Sequence, residues 1–469
     1  MTYNRAIARL GTLFVALFVL LALRQLWVQL IAAPHLADSP YNPREAALAR
    51  YRGPIVASDG APLALSGPRG RAYPLGSALA QALGYDSARY GRSGLEATFE
   101  GVLAARPVPS NPALQWRAIF APASVPRAIS GATVVSTIEP RVELALQAAL
   151  AAYPRAAGVA LDPRTGAVLA LASQPSFDPE TLDRTFPALL ANPNSPLLDR
   201  ALDGLYPPGS SFKIFTAAAA LEDGVVSPAS TFYDPGFAQI GDFVVHDNES
   251  EATGTQKLVG AFAFSSNVDF ARIALALGSP RWFAAAARWK LGESLGFTLP
   301  VARDNLPTPA DVTPSILGQL AFGQADLLVT PLRMALLGAT IAAGGIEPRP
   351  YLVRAVVPPH GAARSLVPPE PLAIPISAAV AGEVRTLMLA CVAYGTGTAA
   401  ALHGVAVAGK TGTATNPRGR SDAWFVAFAP ADAPRIAVAI VVENAGYGGV
   451  VAAPIARRVI EVALASDRR

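Results

Sequence analysis

Hydrophobic residues dominate the first part of the chain and then give way to an irregular, more polar pattern. An uncharged apolar run from Leu10 to Leu23 follows Arg5 and Arg9, and after a polar interruption the apolar pattern resumes and continues to Ala33. The first run alone is short for a bilayer span, but a helix carried through to Ala33 is long enough to cross one. The pattern therefore predicts a cytoplasmic tip and transmembrane anchor in residues 1–33.

The basic residues at the start of this helix predict its orientation. Arg5 and Arg9 precede the apolar run, and positive charge at this end favours a cytoplasmic N-terminus. Everything after about residue 34 then lies outside the membrane, which predicts a single-pass cell-membrane protein with an extracytoplasmic main body. A cleavable signal peptide is the alternative, because the small residues Ala32 and Ala33 are typical of a cleavage site.

Residues 34–130 are irregular and rich in turn formers, and they show no recognisable chemistry. A solvated surface is the default for their arginines, such as Arg52, and contact with a partner is the alternative. Ser93 and Glu96 have the spacing of a capping box at a helix start. We interpret this region as a small pedestal, or dimerisation-like, domain between the anchor and a larger domain over residues 131–469.

The larger domain begins with a strand pattern and a helix pattern, and its last third returns to strands. A hairpin is predicted where two apolar stretches flank a turn centred on Pro163. Helical, alanine-rich stretches fill the middle, including 331–343. The order predicts an α+β domain whose antiparallel sheet is built from both ends of the domain, with helices between. The predicted strands are 133–138, 158–161, 167–172, 405–408, 423–428 and 436–442, and the helices at the two ends are 140–150 and 453–465.

Composition excludes several functional classes. The 469 residues carry a net charge of only +4 with dispersed basic residues, so nothing indicates nucleic-acid binding. The single cysteine, Cys391, excludes an intramolecular disulfide and a cysteine-based metal site, and its apolar surroundings predict burial. The four histidines lie far apart, without the spacing of a helical zinc site. A metal hydrolase is therefore not expected.

A candidate nucleophile lies where a rigid turn leads into an apolar helical pattern. Pro207 to Gly209 favour a turn, and the helical pattern runs from Ile214 to Leu221. Ser210 is therefore expected at a helix N-terminus, beside free backbone N–H groups. Lys213 lies one turn further on the same face, and a lysine with a lowered pKa can act as the base for a serine. Alone, the pair is a weak signal, since an N-cap serine with a solvated lysine is a common alternative.

Two further motifs strengthen the assignment of Ser210. Ser265-Ser266-Asn267 precedes an apolar run, and Lys410-Thr411-Gly412-Thr413 follows a predicted strand. The order Ser-x-x-Lys, Ser-x-Asn, Lys-Thr-Gly, with separations of roughly 55 and 145 residues, is the signature of penicillin-binding proteins and class A β-lactamases. Each motif is weak alone, but their order together is not expected by chance.

The chain resembles the class B penicillin-binding proteins over nearly its whole length. A short pedestal and Ala325, where many members have a second glycine, depart from the usual pattern. The resemblance implies the penicilloyl-serine transferase fold, of a short-pedestal type. Besides the three motifs, the segments that look like family landmarks are Arg52–Ile55, Leu161–Gly166, Phe322–Gln324, Thr330–Leu332, Gly395–Gly397 and Ala423–Phe425.

The resemblance also implies a role for each motif residue in a peptidoglycan D,D-transpeptidase that needs no cofactor and no metal and is inhibited covalently by β-lactams. The implied catalytic residues are Ser210 as nucleophile, Lys213 as base, Ser265 with Lys410 as proton relay, and Asn267 as the residue that holds Lys213 and the substrate amide. The implied substrate-binding residues are Thr411, Gly412 and Thr413, and the implied oxyanion hole is the backbone N–H of Ser210 and of Thr413. Gly412 is expected because a side chain there would block the acyl donor.

Peptidoglycan stem peptides are the implied substrate. No glycan-polymerising domain fits before residue 131, so the implied partner is a separate membrane polymerase of the shape, elongation, division and sporulation (SEDS) type. A D,D-carboxypeptidase and a class D-like β-lactamase share the motifs and stay open as alternatives. A β-lactam-sensing receptor would carry a larger membrane module, and a non-catalytic scaffold is disfavoured because all five implied catalytic residues are present.

Overall fold

A computed structural model describes residues 2–27, 52–67, 70–107, 128–247, 251–368, 370–416 and 420–465. Helix α1, Thr2–Trp27, contains the apolar stretch Ile7–Trp27, which is long and apolar enough to cross a membrane. No part of that stretch is buried against the rest of the chain. The part of the predicted anchor beyond Trp27 lies outside the described residues. Helix α1 therefore fits the role of a membrane anchor.

The remaining elements alternate between short strands and helices. The helices are α2 Ala80–Leu83, α3 Gly94–Thr98, α4 Glu100–Leu103, α5 Pro140–Leu150, α6 Leu182–Ala191, α7 Lys213–Glu222, α8 Leu258–Ala263, α9 Asn267–Leu277, α10 Ser279–Arg288, α11 Pro314–Leu320, α12 Pro331–Ala342, α13 Ala378–Ala393 and α14 Gly448–Ala465. The strands are β1 Ile55–Val56, β2 Pro62–Gly67, β3 Gly70–Ala72, β4 Asp86–Ser87, β5 Gly91–Arg92, β6 Arg106–Pro107, β7 Ala128–Ile129, β8 Thr133–Ser136, β9 Ala156–Leu161, β10 Val168–Gln174, β11 Thr231–Asp234, β12 Phe237–Ile240, β13 Phe243–His246, β14 Gly254–Lys257, β15 Val353–Val357, β16 Arg364–Ser365, β17 Ala408–Ala414, β18 Asp422–Ala429 and β19 Ile436–Val442.

The larger domain is built on a five-stranded antiparallel sheet in the order β10-β9-β19-β18-β17. Strands from the start of the domain therefore pair with strands from its end, as the sequence predicts. Every residue of β19 is buried, because helices cover both faces of the sheet. Alternate β19 side chains join two cores: Val438 and Ile440 pack with α5 and α14, whereas Ala439 and Val441 belong to the core that contains α7 and α12. This confirms the predicted α+β fold.

The bounds of the strand predicted at 405–408 differ from those of β17 in the structure. The apolar pattern predicts a strand over 405–408, whereas the family resemblance implies that the Lys-Thr-Gly segment is itself a strand. Strand β17, Ala408–Ala414, contains the motif, so the apolar pattern alone places the strand too early. Two opposing effects explain the difference. Gly409 and Gly412 weaken the local strand pattern in the sequence, but pairing with β18 along the whole length of β17 holds the segment extended. The motif side chains therefore sit on a rigid strand.

Strands from both sides of residue 131 share a second sheet, in the order β16-β15-β8-β1-β2-β3. Strand β8 pairs in parallel with β1 on one side and antiparallel with β15 on the other. The boundary at residue 131 stays a prediction, and this sheet is the continuous hydrogen-bonded connection between the pedestal region and the larger domain.

The pedestal region contains a buried ion cluster where the sequence favoured a solvated arginine. Arg52 is 6% exposed, and its guanidinium donates to Glu96 at 2.7 Å and to Glu100 at 2.5 Å. Arg71 donates to the second carboxylate oxygen of Glu96 at 2.7 Å. The predicted capping box is also wrong, because Ser93 makes no side-chain cap and both Glu96 oxygens are occupied by arginines. The two arginines satisfy both oxygens of the buried carboxylate with charge-assisted hydrogen bonds, so neither oxygen is left for a helix cap.

Candidate active site

Ser210 lies in a short 3₁₀ turn, Gly209–Phe212, that leads directly into α7. Two contacts hold the approach to this turn. The indole N–H of Trp424 donates to the carbonyl of Pro207 at 3.0 Å, and the N–H of Gly209 donates to the carbonyl of Gly323 at 2.9 Å. The nucleophile turn is therefore fixed by the central sheet on one side and by the Phe322–Gln324 landmark on the other.

Gly209 brings the nucleophile turn close to strand β17. Its φ is +55°, and a Cβ at this position would lie 2.8 Å from the carbonyl oxygen of Thr413. Only glycine tolerates both the left-handed backbone and this approach. The backbones of Ser210 and Thr413, the two implied oxyanion donors, are consequently neighbours.

Lys213 is fully buried at the start of α7. Its Nζ lies 2.6 Å from the carbonyl oxygen of Ser265 and 2.9 Å from Asn267 Oδ1, both of which accept from it, and 3.2 Å from Ser265 Oγ. Ser210 Oγ lies 3.5 Å from the same Asn267 Oδ1. Burial, and then the nearby Lys410 cation, lower the pKa of Lys213 well below its usual 10.5. The lowered pKa shifts the balance towards the neutral amine, which is the form that can accept a proton.

Lys410 reaches the same serine from strand β17. Its Nζ donates to Ser265 Oγ at 2.9 Å, and burial lowers the pKa of Lys410 to about 8. Ser265 has a φ of +65°, which is unusual for a residue with a side chain and is typical of positions fixed by a functional site. One hydroxyl thus joins two buried amines, and burial lowers the pKa of both.

The two motif threonines lie on either side of Gly412 in β17. Thr411 Oγ1 lies 2.6 Å from Thr396 Oγ1, and Thr411 is only 5% exposed. Thr413 Oγ1 accepts from the N–H of Gly448 at 3.4 Å, and Thr413 lines the cleft beside Ser210. Thr413 is accessible to a bound carboxylate in this structure, whereas Thr411 points into a hydroxyl pair with Thr396.

The structure gives a reason for glycine at position 412 that differs from the one the sequence suggests. A Cβ at this position would lie 2.7 Å from the carbonyl oxygen of Pro208, 2.8 Å from Trp424 Cβ and 3.1 Å from Ser211 Cβ. The missing side chain therefore lets β17 pack directly against the nucleophile turn. A larger residue would displace that turn, in addition to any effect on the acyl donor.

A cleft of about 370 Å³ opens over Ser210. Its wall on the side of the β12–β13 hairpin carries the apolar side chains of Phe243 and Val244. Thr413 of β17 and Thr415 of the segment after it also line the cleft. The remaining lining residues are His246, Asn267, Gln319, Phe322 and Gln324. An extended peptide fits a cleft of this shape beside an edge strand.

Sequence reasoning missed two residues that support the site. Thr396 belongs to the Gly395–Gly397 landmark, but nothing in the sequence indicates its contact with Thr411. Asp247 follows β13, and its carboxyl accepts the backbone N–H of Asn267 and, at 3.2 Å, that of Val268. A single aspartate after a strand carries no local signal, since its partners lie about one helix further along the chain.

The fold and the site are those of a serine acyltransferase in which a buried lysine follows the candidate nucleophile by one turn. Residues 156–461 match the family described as "Penicillin binding protein transpeptidase domain". A Mycobacterium tuberculosis protein named peptidoglycan D,D-transpeptidase PbpA is 35% identical over 510 aligned residues, which cover 99% of this chain and 100% of the relative.

Solved structures agree with this assignment. The ceftriaxone acyl-enzyme complex of penicillin-binding protein A from M. tuberculosis has a TM-score of 0.79 and 33% identity, covering 89% of this chain and 100% of that one. The D,D-transpeptidase domain of a peptidoglycan glycosyltransferase from Eggerthella lenta also has a TM-score of 0.79 and 33% identity, covering 89% and 99%. The chain belongs to the penicillin-binding protein transpeptidase family, and the resemblance to its class B members is confirmed.

Proposed function

We propose that this chain is a peptidoglycan D,D-transpeptidase that forms an acyl-enzyme through Ser210 on the D-Ala-D-Ala end of a stem peptide. The observation that supports this best is the continuous set of contacts from Lys213 through Ser265 to Lys410. Such an arrangement can take a proton from one side of a reacting centre and deliver it to the other. The relative named peptidoglycan D,D-transpeptidase, which matches this chain from end to end, supports the same substrate.

Acylation begins when Ser210 Oγ attacks the carbonyl carbon between the two D-alanines. Lys213 takes the hydroxyl proton, because its neutral amine is favoured by burial. The C–N bond then breaks, and Ser265 with Lys410 supplies a proton to the departing D-alanine amine. Asn267 holds the Lys213 amine from one side, and its amide is available to the substrate.

The backbone N–H groups of Ser210 and Thr413 stabilise the oxyanion of the tetrahedral intermediate, each contributing about 3 kcal/mol. The acyl donor lies along β17 as an added strand, with its terminal carboxylate on the hydroxyls of Thr413 and Thr411. Thr411 would have to exchange its contact with Thr396 for the carboxylate. An amine from a second stem peptide then attacks the ester carbonyl, which forms the cross-link and frees Ser210.

Product analysis with purified peptidoglycan tests this function. We expect cross-linked dimers together with released D-alanine in a one-to-one ratio, because each cross-link expels one D-alanine. Released D-alanine without dimers would establish a D,D-carboxypeptidase instead. Rapid turnover of penicillin with neither product would establish a β-lactamase.

The anchor and its orientation complete the proposal. Helix α1 spans the cell membrane with its N-terminus in the cytoplasm, because Arg5 and Arg9 precede the apolar stretch. The catalytic domain is then extracytoplasmic, where its substrate is assembled. A SEDS-type polymerase supplies the glycan strands, and the anchor with the pedestal forms the contact to it.

Deletion of residues 3–31 tests this contact. We expect a soluble protein that still binds penicillin but no longer co-purifies with the polymerase, because the membrane helix is the surface the two proteins share within the bilayer. The full-length chain is the control, measured by co-purification from detergent-solubilised membranes. Equal recovery of the polymerase with both forms would move the contact to the extracytoplasmic part of the chain.

A further inference from the structure

Two exposed aromatic residues lie at the ends of neighbouring helices beside the catalytic motifs. Helix α8 is followed by Phe264, and helix α13 is followed by Tyr394. Phe264 is 50% exposed and Tyr394 is 54% exposed. Their ring centroids lie 6.0 Å apart, and the ring planes are tilted by 52°. We call these two residues the aromatic pair, and adjacent exposed rings of this kind are typical of a binding surface.

Close backbone contacts hold the aromatic pair against the catalytic motifs. The N–H of Thr396 donates to the carbonyl of Ala263 at 3.0 Å, which joins the loops that follow α13 and α8. A Cβ on Gly395 would lie 2.3 Å from the same carbonyl oxygen, so only glycine allows this approach. Thr396 Oγ1 in turn lies 2.6 Å from Thr411 Oγ1. The aromatic pair is therefore fixed relative to Ser265 and to strand β17.

The residues next to the aromatic pair are those that act on the amine of the reaction. Ser265 directly follows Phe264, and its hydroxyl lies 2.9 Å from Lys410 Nζ. Lys410 Nζ also lies 3.4 Å from Thr411 Oγ1. In the proposed function, this end of the site gives a proton to the departing D-alanine amine. The attacking amine must arrive where the first amine left, because aminolysis of the ester is chemically the reverse of the step that formed it.

The acyl donor leaves the aromatic pair uncovered. Within the part of the chain that the structure describes, neither Phe264 nor Tyr394 belongs to the lining of the cleft over Ser210. The donor proposed to lie in that cleft therefore leaves both rings free. A second peptide that brings its amine to Ser265 must cross the surface outside the cleft, and the aromatic pair lies on that surface.

We propose that Phe264 and Tyr394 form the binding site for the acceptor stem peptide, and that they bind its primary amine and the aliphatic chain that carries this amine; this inference rests on the proposed function. An ammonium group is attracted to the face of an aromatic ring, and its methylene chain packs on apolar surface. The incoming amine therefore has a site beside Ser265 before it loses its proton.

The transfer step then balances with residues already in the site. The ammonium releases one proton to water, and the neutral nitrogen bonds to the carbonyl carbon of the acyl-enzyme while the bond from that carbon to Ser210 Oγ breaks. The nitrogen loses a second proton through Ser265 to Lys410, which gave one to the departing D-alanine. Lys213 returns the proton that it took from Ser210. Water that attacks in place of the amine gives a hydrolysed stem peptide, so the aromatic pair sets the ratio of cross-linking to hydrolysis.

The test uses un-cross-linked peptidoglycan strands whose stem peptides carry a free primary amine, with the full-length chain and a Phe264→Ala, Tyr394→Ala double variant. We expect the variant to be acylated by fluorescent penicillin within about twofold of the parent rate, because no acceptor takes part in that step. The ratio of cross-linked to hydrolysed product should fall about 5- to 30-fold, the range for two exposed aromatic contacts to an ammonium.

Three controls accompany the double variant. Phe264→Tyr combined with Tyr394→Phe keeps both rings and should keep the parent ratio. Tyr233→Ala removes an aromatic ring that is 64% exposed on β11, and it should change neither the acylation rate nor the ratio. Strands whose amines have been acetylated should give the parent chain no cross-linked product, although acylation by penicillin is unchanged.

An unchanged ratio in the double variant would overturn the inference, and loss of cross-linking in Phe243→Ala instead would place the acceptor at the β12–β13 hairpin. An acylation rate that falls as far as the ratio would also overturn it, because the rings would then only support the structure of the motifs. If the double variant does not fold, the single variants decide, each with an expected fall of about 2- to 5-fold in the ratio. A parent chain that is not acylated at Ser210, or that releases D-alanine without dimers, would refute the proposed function.

Discussion

Lys213→Arg is expected to lose acylation by fluorescent penicillin by about 10²- to 10⁴-fold, the usual contribution of a positioned general base. Arginine keeps the positive charge but cannot lose its proton near neutral pH, so it cannot take the proton of Ser210. Lys213 is fully buried, and burial and the Lys410 cation lower its pKa, so the substitution removes an amine whose neutral form is favoured by its surroundings. The rate is measured under single-turnover conditions, with circular dichroism as the check on folding.

Lys410→Arg is the matched control, because the second lysine is also buried and bonds to the same Ser265 hydroxyl. The role proposed for Lys410 needs a cation, so we expect this variant to keep part of the parent rate. Its alkaline decline near pH 8 should disappear, since arginine does not titrate there, while the acidic decline set by Lys213 persists. Full activity of Lys213→Arg beside a dead Lys410→Arg would reassign the base to Lys410 acting through Ser265.

Gly412→Ala is expected to slow acylation at least tenfold and to lower the melting temperature, since overpacking typically costs about 1–3 kcal/mol. The new Cβ would lie 2.7 Å from the carbonyl oxygen of Pro208, so strand β17 and the nucleophile turn must move apart. A shift of about 1 Å at a reacting centre can cost roughly 100-fold in rate. Both effects are measured on the same preparation, by acylation kinetics and thermal unfolding.

Gly382→Ala provides the control for a glycine-to-alanine change. Gly382 lies within α13, and a Cβ there meets nothing within 4 Å. Alanine favours a helix by about 1 kcal/mol over glycine, so stability should stay equal or rise while acylation is unchanged. An unchanged acylation rate in Gly412→Ala would show that β17 does not need its close approach to the nucleophile turn.

The parts of the site that were predicted from the sequence are those with a local physical signature. Ser210 and Lys213 are one helical turn apart, so their shared face follows from helix geometry alone. The β9–β10 hairpin and strand β19 were likewise predicted from apolar runs that flank turn residues. Lys410 was predicted as a site residue on a strand, but only through the family resemblance. The apolar pattern alone ends that strand at residue 408, because pairing with β18 overrides the weak strand preference of Gly409 and Gly412.

The parts that were missed depend on contacts between distant segments. Glu96 has the spacing of a capping residue, yet two buried arginines, Arg52 and Arg71, occupy its oxygens. Asp247 has no motif around it, and its contacts with Asn267 and Val268 exist only once β13 and α9 have packed together. Buried polar residues of this kind are specified by tertiary structure, which periodicity and spacing do not record.

The central claim is that Ser210 forms the acyl-enzyme, and mass spectrometry of the chain after incubation with penicillin G tests it most directly. We expect one penicilloyl adduct per chain, located on Ser210 by peptide mapping, and no adduct on Ser210→Ala. Ser211 is fully buried with its hydroxyl donating to the carbonyl of Pro208 at 2.6 Å, and the Ser265 hydroxyl lies between two lysines. An adduct on Ser211 or Ser265, or an undiminished adduct on Ser210→Ala, would contradict the account.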